Sequence, residues 1–128
     1  MRYTSPENIH KVIDPLFVDE LRAELTGILE GPGLTPIRRR NALKRFHDKI
    51  AGLTFFDPAC GSGNFLTETY ITLRLMENKI LSELEYQTAL AFEDVGASPL
   101  KVSLGQFYGL EIKDFAVSVA STALWIAQ

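Results

Sequence analysis

The sequence predicts an α/β protein in which two short parallel strands lie side by side and helices surround them. Residues 53–56 indicate the first strand, because this short apolar run with β-branched and aromatic members precedes a glycine-rich segment and a long helical pattern. Residues 106–112 indicate the second strand, and a last helix follows from about Asp114. Strands that alternate with helices are typical of parallel sheets, since parallel neighbours need a long crossover connection.

The composition is that of a globular domain. The 128 residues are 46% hydrophobic and carry 16 acidic and 13 basic side chains, a net charge of −3, whereas disordered chains combine few apolar residues with a large net charge. No apolar run reaches the roughly 18–20 residues that cross a bilayer, and the N-terminus lacks the apolar core of a signal peptide. We therefore expect a cytoplasmic protein with no membrane partner. The single cysteine, Cys60, and the two histidines show no metal-ligand spacing, so no metal is expected.

Residues 1–52 predict a helical N-terminal region. Thr4 is expected to cap the first helix, with Glu7 completing a capping box. Asp14 and Pro15 are expected to end that helix and start a second one, because proline suits a first helical turn and disrupts a helix interior.

Two further helices are predicted downstream. One runs from residue 36, behind the cap Thr35, to about residue 51 and has a basic face. The other runs from Asn64 to about residue 92, with a break near Ser82. His10 and His47 are interpreted as surface residues of their helices. The basic side chains of the third helix are Arg38, Arg39, Arg40, Lys44 and Arg45.

The segment 57–63, Asp-Pro-Ala-Cys-Gly-Ser-Gly, stands where the first strand passes to a helix. Backbone N–H groups and a helix N-terminus can meet an anion at such a junction. A Walker phosphate loop needs lysine after the second glycine, and Asn64 stands there. The dinucleotide fingerprint needs a small third residue, and Leu66 stands there. S-adenosylmethionine, which has a carboxylate in place of pyrophosphate and still carries a ribose, remains as a candidate.

Residues 56–66, Phe-Asp-Pro-Ala-Cys-Gly-Ser-Gly-Asn-Phe-Leu, resemble the cofactor motif of N6-adenine DNA methyltransferases. The whole chain resembles the front part of that domain in MmeI-type fused restriction–modification enzymes, from Tyr-Thr-Ser-Pro-Glu at residues 3–7 to Phe-Tyr-Gly-Leu-Glu-Ile at residues 107–112. The resemblance implies a partial Rossmann-like class I methyltransferase fold. Residues 1–52 would carry the family's N-terminal cofactor motif, and residues 53–128 would form a partial S-adenosylmethionine-binding subdomain.

The resemblance also implies which residues contact the cofactor. The loop would wrap its methionine half, with Gly61 and Gly63 leaving room for the backbone to approach. Glu111 would accept hydrogen bonds from both ribose hydroxyls, and Ile112 would pack on the adenine. Thr4 matches the N-terminal motif that closes over the methionine end. The full expected set is Thr4, Asp57, Pro58, Ala59, Cys60, Gly61, Ser62, Gly63, Glu111 and Ile112.

The chain departs from the family pattern in two places. Glu111 lies 48 residues after Gly63, which implies an additional helical insertion. The Asn/Asp-Pro-Pro-aromatic motif, which in this family holds the flipped adenine, is absent because none of the six prolines is adjacent to another. We therefore expect no catalytic residue in the chain. The expected parent protein methylates adenine N6 in duplex DNA within a restriction–modification enzyme, and this chain is an inactive fragment of it.

Two other functions stay open. The same fold could serve a methyltransferase for RNA, protein or a small molecule, or the chain could be a non-enzymatic helical interaction module. The basic helix face is either solvated or in contact with DNA phosphates. Cys60 is interpreted as a small half-buried residue of the loop, and Trp125, Phe107 and Tyr108 as packing residues. Exposed strand edges at residues 53–56 and 107–110 are expected to promote self-association.

Overall fold

The computed structural model describes residues 5–56, 64–90 and 100–108 of the chain. These residues are mostly helical, with two short parallel strands. In chain order the elements are α1 (Pro6–Ile13), a π-helical turn (Asp14–Val18), α2 (Asp19–Glu30), α3 (Pro36–Gly52), β1 (Phe55–Phe56), α4 (Asn64–Leu90), a 3₁₀ turn (Leu104–Gln106) and β2 (Phe107–Tyr108).

The two strands are direct neighbours and run parallel, as the sequence predicts. Phe55 pairs with Phe107 and Phe56 pairs with Tyr108. β1 is shorter than the predicted 53–56, and β2 begins at Phe107, one residue later than predicted. The predicted extension of the second strand to residue 112 and the helix after it lie outside the described residues.

Aromatic rings join the strands to the helices. The Phe55 and Phe107 rings stack with centroids 5.3 Å apart. Phe17 packs on Phe55 at 5.2 Å, and Tyr70 meets Phe107 edge to face at 5.6 Å. Offset and edge-to-face ring pairs add stabilisation beyond the area they bury. This face of the sheet is therefore anchored to the helical turn before α2 and to the second turn of α4.

The core is built from all four helices and from the segment that enters β2. Its fully buried members lie at helical spacing, which is what orients each helix toward the others. The most deeply buried apolar residues are Ile9, Val18, Leu43, Phe46, Ile50, Leu73 and Ile80. Not every apolar residue of the helical patterns is inside, since Leu16 and Ile37 are 70% and 72% exposed.

The cap of α1 is Ser5, which corrects the prediction that Thr4 has this role. The Ser5 hydroxyl accepts a hydrogen bond from Asn8 N at 3.3 Å. Pro6 occupies the first helical position, and the residue directly before that position is the N-cap. The geometry of Thr4 itself lies outside the described residues.

The predicted break at Asp14 and Pro15 is also wrong, because the chain stays helical from α1 through α2. The helix widens into a π turn in which Asp19 N–H donates to Asp14 O. Pro15 has no N–H to donate, and a widened turn is a known way for a helix to accommodate such a position. The two predicted helices are therefore one uninterrupted helical segment.

The other helices are closer to expectation. Thr35 caps α3 by accepting from Arg38 N at 3.2 Å, as predicted. Helix α4 passes through Ser82 without the predicted break. Ser82 is exposed, so its hydroxyl faces water and does not interrupt the apolar side of the helix.

Candidate functional site

The predicted cofactor loop connects β1 to α4. β1 ends at Phe56 and α4 begins at Asn64, so the strand precedes the helix as the sequence predicts, with residues 57–63 between them. The loop residues Asp57, Pro58, Ala59, Cys60, Gly61, Ser62 and Gly63, together with Thr4, Glu111 and Ile112, lie outside the described residues. The structure therefore defines the elements that flank the predicted site.

The two described strands end at the same edge of the sheet, and in the sequence each is followed by one half of the predicted site. Asp57 directly follows Phe56, and Glu111 comes three residues after Tyr108. Phe56 and Tyr108 are register partners, and parallel strands end at the same edge. In open α/β sheets, ligands bind outside the carboxyl ends of the strands. The described strands thus have the order and direction that a shared site at this edge requires.

His10 links α1 to the beginning of α4. Its Nδ1 lies 2.6 Å from Asp14 Oδ1 and its Nε2 lies 2.8 Å from Glu68 Oε1. Burial opposes the charged imidazolium, but the hydrogen bonds to Asp14 and Glu68 outweigh it and raise the pKa of His10 above its ordinary value. His10 is partly buried rather than a free surface residue, because two carboxylates enclose its ring and leave 23% of the side chain exposed. Helix α1 is thereby held against the first two turns of α4.

His47 is buried as well, which corrects the second surface assignment. Its Nε2 lies 2.7 Å from Glu77 Oε2, and the two side chains are 3% and 0% exposed. The same carboxylate oxygen accepts hydrogen bonds from Lys101 N and Val102 N, each at 2.8 Å. Burial would raise the pKa of Glu77, but the hydrogen bond to His47 and the two backbone N–H groups lower it below its ordinary value.

The sequence holds a signal for this buried pair. Glu77 lies four residues after Leu73 and three before Ile80, and both are fully buried. Side chains at these spacings share one helix face. A charged residue in the middle of an apolar stripe needs a partner inside the protein, and His47 on α3 is that partner.

Gln106 joins the entry of β2 to the end of α3. Its Nε2 donates to Ile50 O at 2.8 Å and to Leu53 O at 2.7 Å. Its Oε1 accepts from Ser103 N at 2.9 Å. Carbonyls in the last turn of a helix lack intrahelical partners, so the Gln106 amide satisfies the end of α3 where the chain turns toward β1.

The predicted basic face of α3 is divided between structural and exposed side chains. Arg39 donates to Ile28 O at 3.1 Å and to Gly31 O at 3.2 Å, so it closes the C-terminal end of α2. Arg38, Lys44 and Arg45 are exposed. These three cations are available to a partner.

The described ranges contain neither a metal cluster nor a membrane-spanning helix. No three His, Cys, Asp or Glu side chains of residues 5–56, 64–90 and 100–108 gather where they could hold a metal ion. None of the helices described there is both long and apolar enough to cross a bilayer.

The described part of the chain is mostly helical with two parallel strands, an α/β arrangement in which the long helix α4 follows the first strand in the chain. Comparison with protein families identifies the family within this class. The model of the MmeI DNA-methyltransferase domain matches residues 35–128, and the chain belongs to this family. The match begins at Thr35, the cap of α3.

Individual relatives agree with this membership. DNA methyltransferase A of Bacillus subtilis is 43% identical over all 128 residues, which are 13% of its length. A putative type II restriction enzyme and methyltransferase of Methanocaldococcus jannaschii is 31% identical over 88 residues, covering 69% of this chain and 7% of its own. The predicted family is thus confirmed.

A solved structure agrees as well. The type IIL restriction–modification enzyme MmeI, solved in complex with DNA, matches 83% of this chain with a TM-score of 0.61 and 40% identity. The match covers 13% of the MmeI chain.

Proposed function

We propose that this chain is the cofactor-binding part of a DNA methyltransferase of the restriction–modification type, and that the complete activity transfers a methyl group from S-adenosylmethionine to N6 of adenine in duplex DNA. The family and the names of the relatives support DNA as the substrate. The single structural observation that carries the proposal is the parallel register of Phe56 with Tyr108. Since parallel strands end at the same edge, the proposal assigns the loop after β1 and the segment containing Glu111 to that edge.

In this proposal each part of the site binds a different part of the cofactor. The loop of residues 57–63 surrounds the methionine half, and Glu111 accepts hydrogen bonds from the ribose. Ile112 packs on the adenine, and Thr4 closes the methionine end. No residue of the chain is assigned to the transfer step itself. Positioning of the adenine amino group against the sulfonium methyl makes up most of this catalysis, and the chain contains no motif that would hold the base.

Calorimetric titration of the full-length gene product with S-adenosylmethionine tests the cofactor site. Glu111→Ala is expected to weaken binding about 10- to 100-fold, the effect of losing hydrogen bonds to a charged group. Glu85→Ala, which removes an exposed carboxylate on α4, is the matched control and leaves affinity unchanged. Absence of binding at millimolar cofactor would refute the proposal and favour a helical interaction module.

The substrate is tested by methyl transfer from labelled S-adenosylmethionine. Duplex DNA, RNA and a protein extract are offered separately, and labelled DNA is digested to nucleosides. Label in N6-methyladenine is the expected result. Label in RNA or protein, or in a different DNA base, would contradict the substrate proposed here. The chain by itself is expected to bind cofactor more weakly than the full-length product and to transfer no methyl group.

We also assign the exposed cations of α3 to DNA phosphates. Arg38, Lys44 and Arg45 lie on one helix whose attachment to α2 is fixed by Arg39. Each phosphate contact adds about 0.9 to the slope of log affinity against log salt concentration. Neutralising the three side chains with glutamine should lower that slope, while Lys79→Gln on α4 should not. An unchanged slope would identify this face as solvated only.

Self-association of the isolated chain is a further part of the proposal. Phe56 and Tyr108 are neighbours on one face of the sheet and are 69% and 55% exposed. Among the described residues the two strands pair only with each other, and an open strand edge is a template for another chain. Sedimentation of the 128-residue chain should show dimers or larger species at high concentration, and a monodisperse monomer would refute this.

A further inference from the structure

The segment that leads into β2 is held by a carboxylate from the middle of α4. Residues 100–103 form neither helix nor strand, so their backbone N–H groups need partners of another kind. Glu77 Oε2 accepts the N–H groups of both Lys101 and Val102. Since Val102 is 4% exposed, water has little access to replace this contact.

The packing of α4 does not by itself require a carboxylate at position 77. A buried carboxylate stabilises a protein poorly, because its desolvation offsets most of the attraction it gains. An apolar side chain at this position would continue the stripe between Leu73 and Ile80. Glu77 Oε2 nevertheless accepts from His47 as well as from the two amides. Its Oε1 makes no hydrogen bond and has Arg74 Nε 3.3 Å away as an ion-pair partner. Buried ionic groups of this kind can contribute a unique arrangement of chain segments where they contribute little stability.

The arrangement that Glu77 selects is the position of β2. Its two amide partners come five and six residues before Phe107. The capping box of Ser103 with Gln106 then tightens the intervening turn, and Gln106 fastens it to the end of α3. Displacement of a strand by one residue moves it about 3.3 Å and turns its side chains to the opposite face. The hydrogen bonds of Glu77 and Gln106 lie this close to the strand and therefore oppose such a displacement.

We propose that Glu77, oriented by His47, is a positioning residue for cofactor binding, because it sets the register of β2 against β1. This inference rests on the proposed function, since β2 leads to the expected ribose ligand Glu111. Glu77 itself does not touch the cofactor. Its role is to hold the second strand where the chain that follows can reach the same edge as the loop after β1.

Three variants of the full-length product test this role. Glu77→Leu removes the acceptor and keeps an apolar side chain of similar size. Glu77→Gln keeps an oxygen that can accept both N–H groups and is the conservative rescue. Leu84→Ala truncates another buried residue of α4. The leucine side chain makes no hydrogen bond to residues 100–106, so this variant is the control for general loss of stability. Glu77→Met, with a more adaptable apolar chain, replaces the leucine variant if that protein does not fold.

Two measurements are made on each variant. Amide hydrogen exchange reports local opening of the segment that enters β2, and calorimetry reports the affinity for S-adenosylmethionine. In Glu77→Leu the amides of Lys101 and Val102 should exchange more than about 10-fold faster, and cofactor affinity should fall about 10-fold. Glu77→Gln should stay within about 3-fold of the parent in both. Leu84→Ala should keep the affinity for S-adenosylmethionine within about 2-fold of the parent, even where its melting temperature falls as far as that of Glu77→Leu.

The outcomes separate this inference from the proposed function. Unchanged amide exchange in a folded Glu77→Leu protein would overturn the positioning role. An equal loss of affinity in Leu84→Ala would also overturn it, because general softening would then explain the effect. If the unmodified protein binds no cofactor, the proposed function fails, and amide exchange still decides whether Glu77 holds β2.

Discussion

Replacing Gln106 with leucine tests how the entry of β2 is joined to the end of α3. The substitution removes two hydrogen bonds donated to Ile50 O and Leu53 O and one accepted from Ser103 N. The bond to Ile50 O is fully buried, and the other two are part-buried. Leucine fills a similar volume, so the effect isolates the polar contacts.

The magnitude follows from the burial of each lost bond. A buried acceptor left without a donor costs about 1–3 kcal/mol, and an ordinary bond contributes about 0.5–1.5 kcal/mol. For Gln106→Leu we expect a loss of about 3 kcal/mol in the free energy of unfolding. Urea unfolding followed by circular dichroism measures it, with an unchanged m value indicating that the native fold is kept.

Two further variants identify the source of that loss. Gln106→Glu can still accept from Ser103 N, but it cannot donate to the two carbonyls, so it should destabilise at least as much as leucine. Gln87→Leu on α4 replaces a half-buried glutamine whose bond to Glu83 is 3.5 Å long, and it should change stability by less than about 0.5 kcal/mol. If Gln106→Leu proves as mild as Gln87→Leu, the Gln106 amide does not join these elements.

Three other predictions concern stability. Ser5→Ala should cost about 1 kcal/mol by removing the cap of α1, while Ser5→Thr should not; equal stability of the two in urea unfolding would show that the cap lies elsewhere. Phe107→Ala should cost about 3–5 kcal/mol, because its ring is buried in the aromatic stack, whereas the exposed Tyr108→Ala should cost under about 1 kcal/mol; similar losses would contradict the assigned faces of β2. The free energy of unfolding should reach a maximum at an intermediate pH. The lowered pKa of Glu77 makes its contribution complete above about pH 4.3 and lost as the pH falls, and the raised pKa of His10 makes its contribution complete below about pH 6.5 and lost as the pH rises. A His10→Gln protein that keeps the alkaline decline would refute the second assignment.

Local patterns in the sequence predicted the elements that depend on neighbouring residues. The Thr35 cap, the start of α4 at Asn64 and the parallel neighbours at Phe55 and Phe107 were all predicted. Each depends on residues a few positions apart, or on the rule that strands joined through a helix run parallel. The family also followed from contiguous residues around the glycine loop.

The predictions that are wrong concern features that depend on a distant part of the chain or on a choice between adjacent residues. Thr4 and Ser5 are both capping residues, and only the start of the helix at Pro6 decides between them. Pro15 predicts a break in the helix, because the sequence rules for helix ends do not include a π turn as an alternative. His47 carries no sign of burial in its own helix, because its partner Glu77 lies 30 positions away.

The sequence by itself determined that two parallel strands lie among helices, that β1 precedes α4, and which family the chain belongs to, because these follow from short contiguous patterns. The tertiary structure alone decided which polar residues lie inside. A charged side chain can be buried only where donors from distant segments converge on it, as His47 and the backbone before β2 converge on Glu77. The sequence predicts the cofactor residues, whereas only the packing of α3 against α4 shows that Glu77 holds the segment before β2.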